Sequence, residues 1–236
     1  MNPAIGILGG TFDPVHYGHL RPAEETRLHL GLGELRLMPN HIPPHRPQPV
    51  ASSAQRLAML QLVLQEYPHF RVDDRELRYQ RPSYTIDTLT ALRAELPHTP
   101  LCFLIGMDSL LGLPSWHRWR ELTDYAHLVV SLRPGWSPQL QGELAELVRE
   151  HQTSDIARLH QQLAGCIYWM ANQPVALSAT ALRRDLAAGR SVRDRVPAAV
   201  ADYIDQQRIY CHSVIASSAA VSLKISGYSF SRNQKD

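Results

Sequence analysis

Cysteine is scarce in this 236-residue chain. The three present, Cys102, Cys166 and Cys211, stand far apart, with no C-x-x-C pair and no metal-ligand spacing. That excludes a disulfide framework and makes a reducing cytoplasm the simplest location. Long apolar runs are missing too. None reaches the roughly 20 residues of a membrane span, and no basic stretch precedes Ile5 as in a secretory leader. Neither a membrane segment nor a signal peptide is therefore expected. Charge of one sign is not in excess: the net charge is +2, and basic residues are spread along the chain. A nucleic-acid binder would concentrate them. Asp73-Asp74 and Asp185 do not converge by spacing, so no protein-built metal site is predicted. The G-x-G-x-x-G fingerprint is also absent, which argues against a redox enzyme on a dinucleotide fold.

What is present is an ordinary globular composition, 44% hydrophobic and 19% charged. The length suits one domain over residues 1–212. Residues 213–236 hold seven serines and follow what reads as a natural end at Tyr210. They read as a disordered or non-native tail, with a packed final strand as the alternative. Apolar runs predict strands at Ile5–Leu8, Glu34–Met38, Phe70–Asp73, Leu101–Ile105, His127–Leu132, Ile167–Met170 and Val175–Leu177. Helical spacing predicts helices at 20–30, at 54–66 capped by Ser53, and from Ser83 to Leu96. Further helices are predicted at Trp116–Tyr125, 180–188 and 197–207, with a polar helical insertion at 139–163. Strands alternating with helices specify an α/β doubly wound, mostly parallel sheet with helices on both faces. Such sheets bind ligands beyond the carboxyl ends of their strands. Gly9–His19, Asn40–Arg46, Gly106–Asp108 and Arg133 all fall at such ends.

The stretch Gly9-Gly-Thr-Phe-Asp-Pro-Val-His-Tyr-Gly-His19 carries the most chemistry. Gly9 and Gly10 free the backbone to turn and let a ligand approach. Asp13-Pro14 reads as a helix entry, with Asp13 as N-cap and Pro14 at the first helical position. His16 and His19 then share one helix face, near unpaired N–H groups suited to phosphate. The plain alternatives are a tight turn and two surface histidines. Ser178, Thr180 and Arg183 lie at a strand-to-helix junction, where capping explains either hydroxyl but not the arginine one turn on. Five prolines between positions 39 and 49 stiffen the loop holding Asn40, His45 and Arg46. Trp136 and Trp169 read as structural.

These motifs resemble the nucleotidyltransferase superfamily with the H-x-G-H signature. The fuller pattern resembles the bacterial nicotinate mononucleotide adenylyltransferases within it. The added marks are Pro39-Asn40 with Pro43-Pro-His-Arg46, Ser83-Tyr-Thr85, Gly106-Met-Asp108, Trp116, Arg133-Pro-Gly135 and Ser178-Ala-Thr180-x-x-Arg183. The resemblance spans residues 5–210 and departs from the pattern at His41, where a second asparagine is usual. It implies adenylyl transfer from ATP to nicotinate mononucleotide, giving deamido-NAD and pyrophosphate. Nicotinamide mononucleotide or phosphopantetheine as acceptor, and a non-catalytic nucleotide-binding regulator, are the alternatives. The resemblance assigns catalysis to His16, His19 and Arg183. It assigns ATP to these three with Gly9, Gly10, Thr11, Phe12, Gly106, Asp108, Ser178 and Thr180. Acceptor binding falls to Asn40, His45, Arg46, Tyr84, Thr85, Trp116 and Arg133. Mg2+ is expected to arrive with ATP, without dedicated protein ligands. Because the nucleophile is a phosphate oxygen, no general base is needed; imidazole would stabilise charge, more strongly when protonated. No nucleic-acid or membrane partner is expected, and the protein is expected to be a monomer or small homo-oligomer.

Overall fold

The run Leu101-Cys-Phe-Leu-Ile105 is buried along both faces, as a central parallel strand requires. Leu101, Phe103 and Ile105 point into one apolar cluster, and Cys102 and Leu104 into the other. The computed structural model describes residues 3–41, 48–78, 83–132, 139–173 and 175–211. The proposed tail at 213–236 lies outside the described residues, as do His45, Arg46, Arg133 and Trp136.

The strands are β1 (Ile5–Gly10), β2 (Glu34–Pro39), β3 (Phe70–Val72), β4 (Leu101–Gly106), β5 (His127–Leu132), β6 (Gln152–Thr153) and β7 (Ile167–Ala171). The helices are α1 (Tyr17–Leu30), α2 (Ser53–Val63), α3 (Thr85–Glu95), α4 (Met107–Leu111), α5 (Leu122–Tyr125), α6 (Gly142–His151), α7 (Ile156–Gln161), α8 (Ala179–Ala187) and α9 (Ala198–Gln206). Among the described residues the strands form one seven-stranded sheet in the order β3-β2-β1-β4-β5-β7-β6. Every pairing is parallel. Leu20 and Leu30 of α1, Met59 and Leu60 of α2 and Ile204 of α9 cover one face. Ile86, Leu89 and Leu92 of α3, Leu110 of α4 and Leu144 of α6 cover the other. Each such side chain contributes about 1.5–3 kcal/mol by leaving water. The expected doubly wound α/β sheet is thus present. The chain winds outward from β1 through β2 and β3, then returns to β4 on the opposite side of β1. That reversal opens a crevice beyond Gly10 and Gly106. Among the described residues no helix is long and apolar enough to cross a membrane.

Several local expectations change. Helix α1 does not start at Asp13-Pro14. His16 is its N-cap, and its Nδ1 accepts the N–H of Gly18 at 3.0 Å. Asp13 spends its carboxylate on distant groups instead of the helix end. The other end of α1 is as expected: Gly31 closes it with a left-handed φ of 65°. Ser52, not Ser53, caps α2, in a reciprocal capping box with Gln55. The region Trp116–Tyr125 is not one helix, because Arg118 at φ 51° breaks it; a short 310 turn precedes α5. The stretch 139–163 is more than a peripheral helical insertion, since β6 pairs with β7 and extends the sheet edge. Val175–Leu177 is not a strand: the N–H of Leu177 turns back to the carbonyl of Val175 at 2.8 Å instead of joining a ladder.

His127 on β5 is fully buried. Its Nδ1 accepts the N–H of Cys166 at 3.0 Å, so the proton sits on Nε2, 3.0 Å from the Gln162 carbonyl. Burial lowers its pKa from the ordinary 6.5 to about 4. Burial does the same to His16. The unfolded chain therefore takes up protons between pH 6.5 and about 4 that the folded chain does not, so acid destabilises the fold in that window. Each histidine should remove on the order of 2 kcal/mol between pH 7 and pH 5. Urea unfolding at the two pH values should show this loss. His127→Gln, less stable at pH 7, should lose less on acidification.

Candidate functional site

The glycine turn, the histidine pair and the first turn of α1 are held by close packing. A Cβ on Gly10 would lie 3.2 Å from the ring of Phe12, itself in the left-handed region at φ 51° and buried. Phe12 presents its ring edge-on to His19, with centroids 5.3 Å apart. His16 and His19 stack at 3.8 Å with an interplanar angle of 27°. Gly18 makes the stack possible, since a Cβ there would stand 2.8 Å from ring atoms of His16. His16 is buried, and its low pKa keeps it neutral near pH 7. With Nδ1 accepting from Gly18, its proton lies on Nε2. Burial thus disfavours a charged His16 at neutral pH, and its Nε2–H remains a hydrogen-bond donor beside His19.

Beneath this turn lies a buried polar knot. Asp13 Oδ2 accepts the N–H of Val50 at 2.8 Å. Its Oδ1 accepts the N–H of Ala51 at 3.0 Å and the hydroxyl of Tyr210 at 2.7 Å. The Asp13 carbonyl accepts from Arg183 at 2.6 Å. Arg56 is almost fully buried; one of its terminal nitrogens donates to the carbonyls of Thr11 and Asn40, both at 2.8 Å. Neither Arg56 nor Tyr210 stands among the candidates read from sequence. Arg56 had one usable signal, a charged residue in the inward register of Leu60 and Val63. Tyr210 had none.

A cavity of about 690 Å3 opens above the knot, at the carboxyl ends of β1 and β4. Its wall brings together Gly9, Gly10, Thr11, Phe12, His19, Asn40, Tyr84, Thr85, Gly106, Asp108, Trp116, Thr180 and Arg183. His16 stands behind His19 and does not line it. Ser178 does not line it either; its hydroxyl accepts the N–H of Ala181 at 3.2 Å and caps α8. Thr180 and Arg183 follow on the exposed side of α8, with an Arg183 nitrogen 3.4 Å from Thr180 Oγ1. Asp108 folds back over Gly106, where a Cβ would lie 2.7 Å from its Oδ1.

The opposite end of the cavity is aromatic. The Phe103 ring meets Trp116 edge-on at 6.4 Å, and Tyr84 and His117 lie 4.8 Å apart. Helix α3 begins here at Thr85 without a side-chain cap, so its amino end meets the cavity. Asn40 holds a buried Oδ1 without a partner among the described residues. His41 is used structurally: its N–H donates to Ser83 Oγ at 3.3 Å, and its ring lies 3.1 Å from Ser53 Oγ. Glu76, also absent from the sequence candidates, reaches this wall and accepts from Thr88 Oγ1 at 2.7 Å. Burial raises its pKa. Among the described residues no group of three or more His, Cys, Asp or Glu could hold a metal ion.

Residues 7–185 match the cytidylyltransferase-like family model. A protein of Aeromonas salmonicida described as "Probable nicotinate-nucleotide adenylyltransferase" is 63% identical over 206 residues, covering 87% of this chain and 96% of its own. One of Aeromonas hydrophila with the same description is 62% identical over 210 residues, covering 89% and 98%. Among solved structures, the Plasmodium falciparum nicotinic acid mononucleotide adenylyltransferase complexed with NaAD superposes with a TM-score of 0.67. It is 16% identical and covers 89% of this chain and 98% of its own, which shows a shared fold. The matched span takes in the histidine pair, the glycine turn, the aromatic wall and Arg183, and on that footing the chain belongs to the nicotinate-nucleotide adenylyltransferase family of the cytidylyltransferase-like proteins.

Proposed function

We propose that this chain transfers the adenylyl group of ATP to nicotinate mononucleotide, giving deamido-NAD and pyrophosphate. One observation carries the proposal. A single cavity joins a cationic, hydroxyl-bearing side, formed by His19, Thr180 and Arg183, to an aromatic side closed by Trp116 and the amino end of α3. The first suits a triphosphate, and the second a flat ring bearing a carboxylate. The Aeromonas relatives carry the name of this reaction's enzyme.

In this reading a phosphate oxygen of the mononucleotide attacks the α-phosphorus of ATP. The bond from that phosphorus to the α,β-bridging oxygen breaks, and pyrophosphate leaves with the electron pair. The attacking oxygen is anionic at neutral pH, so alignment and charge stabilisation account for the catalysis. His19 donates a hydrogen bond to the phosphate at the reacting centre, while neutral His16 fixes its plane by stacking. The glycine turn offers backbone N–H groups, and Arg183 and Thr180 hold the leaving phosphates. Gly106 and Asp108 face the nucleoside of ATP. Trp116 stacks on the pyridine ring, and Thr85 with Tyr84 at the amino end of α3 receives its carboxylate. Asn40, with His45, Arg46 and Arg133, is assigned to the acceptor. Mg2+ arriving with ATP would lower the mutual repulsion of its phosphates, and no residue of this chain is assigned to hold it. The activity is assigned to residues 1–212, and the cytoplasm suits three free thiols.

His19→Ala should fold normally and lower turnover by about 100- to 1,000-fold in a pyrophosphate-release assay. Near-wild-type turnover would overturn the role given to His19. Gly18→Ala should lower turnover at least about tenfold, because the new Cβ displaces the His16 ring. Trp116→Ala should raise KM for nicotinate mononucleotide about tenfold and leave KM for ATP within about twofold. The same assay with nicotinamide mononucleotide and phosphopantetheine tests the acceptor. Faster turnover with either would displace nicotinate.

A further inference from the structure

We propose that Tyr210, some 200 residues from the glycine turn in sequence, is a positioning residue for the triphosphate side of the cavity: its hydroxyl occupies Asp13 so that Arg183 stays available to phosphate. The proposal rests on the nucleotide-binding reading above.

Tyr210 follows α9 and has no solvent exposure. The chain reaches it through two left-handed turns, at Arg208 (φ 49°) and at Tyr210 itself (φ 67°). Side chains other than glycine seldom adopt this conformation. The turns carry the phenol under the β1–α1 loop, where it donates to Asp13 Oδ1 at 2.7 Å. Burial and the neighbouring Asp13 raise the phenol's pKa well above its ordinary value, so it remains a donor at any working pH.

Asp13 and Arg183 form a long ion pair without a hydrogen bond between their charged groups. An Arg183 nitrogen donates to the Asp13 main-chain carbonyl at 2.6 Å, yet lies 3.7 Å from the carboxylate oxygen Oδ2. Three other donors already satisfy that carboxylate: the N–H groups of Val50 and Ala51 and the Tyr210 hydroxyl. Arg56, the other buried cation here, commits its terminal nitrogens to Thr11, Asn40 and Ser53 and keeps only a buried Nε–H without a partner among the described residues. A buried carboxylate that loses a donor seeks the nearest cation. In this proposal that cation is Arg183, whose nitrogen already meets the Asp13 carbonyl, and closing the 3.7 Å gap draws its guanidinium further onto Asp13 at the expense of phosphate. Five N–H groups in a rigid fork cannot serve the carboxylate and a phosphate equally well.

Tyr210→Phe removes one oxygen and keeps the ring. Titration calorimetry of the full chain with ATP in magnesium buffer should show affinity weakened about tenfold. Affinity for nicotinate mononucleotide should stay within about twofold. In an Arg183→Ala background the same substitution should change ATP affinity less than about twofold, because its route of action is gone. Tyr210→Leu should show the same ATP-selective loss with a lower melting temperature, which separates the hydroxyl from ring packing. Unchanged ATP affinity in Tyr210→Phe would overturn the proposal. So would an equal loss in both backgrounds, or an equal loss for both ligands, since each marks a purely structural role. A wild-type chain that binds ATP but releases no pyrophosphate overturns the proposed function and leaves the Tyr210 comparison decisive. A wild-type chain that binds no ATP overturns both.

Discussion

The carboxylate of Asp13 is buried, and burying a charge demands donors in fixed places. Those donors come from the loop before α2, from the turns after α9 and, at its main-chain carbonyl, from α8. One residue therefore ties the turn after β1 to three segments that are remote in sequence, two through its side chain and one through its main chain. Removing one partner of such a buried charge generally costs about 3–5 kcal/mol, far more than a surface contact. The turn cannot relax without losing these bonds, and the shape of the cavity follows from that. Arg56 extends the knot by gripping Thr11 and Asn40 together, which locks the ends of β1 and β2 in register.

With the turn fixed, packing places the histidines. Phe12 supports His19 from one side and His16 stacks on the other, with Gly18 leaving room for the overlap. Two rings at 3.8 Å, one of them buried, favour a single charge at most. In the proposed reaction, that suits meeting anionic phosphate with a directed donor rather than a diffuse positive field. The aromatic end of the cavity belongs to the opposite face of the sheet. It meets the histidine end across the carboxyl edges of β1 and β4, and His41 joins the two sides by bonding to Ser53 and to Ser83.

Much of this was legible in the chain because the relevant forces are local. The doubly apolar runs of β4 and β5 can exist only between two covered faces, and Gly31 can only end α1. The elements misjudged share a different property: their conformation depends on what lies across the fold. Val175–Leu177 has strand-like residues but no neighbouring strand to pair with. Trp116–Tyr125 has helical spacing, yet Arg118 adopts a left-handed turn inside it. Gln152–Thr153 is too short to announce itself and becomes a strand only because β7 offers an edge.

The site divides along the same line. Composition and spacing determined the sheet class and the rim of strand carboxyl ends where Gly9–His19, Asn40 and Gly106–Asp108 meet, since those follow from residue type and local pattern, while Thr85, Trp116 and Arg183 were added by the family resemblance. Only the tertiary structure decided which of the marked groups reach the cavity. Ser178 is consumed by a helix cap, His16 is neutral behind His19, and Asp13 serves the scaffold instead of a helix end. It also brought in Arg56, Glu76 and Tyr210. The physical reason is that burial and hydrogen-bond partnership set the role of a polar side chain, and both are properties of the assembled fold rather than of neighbouring residues.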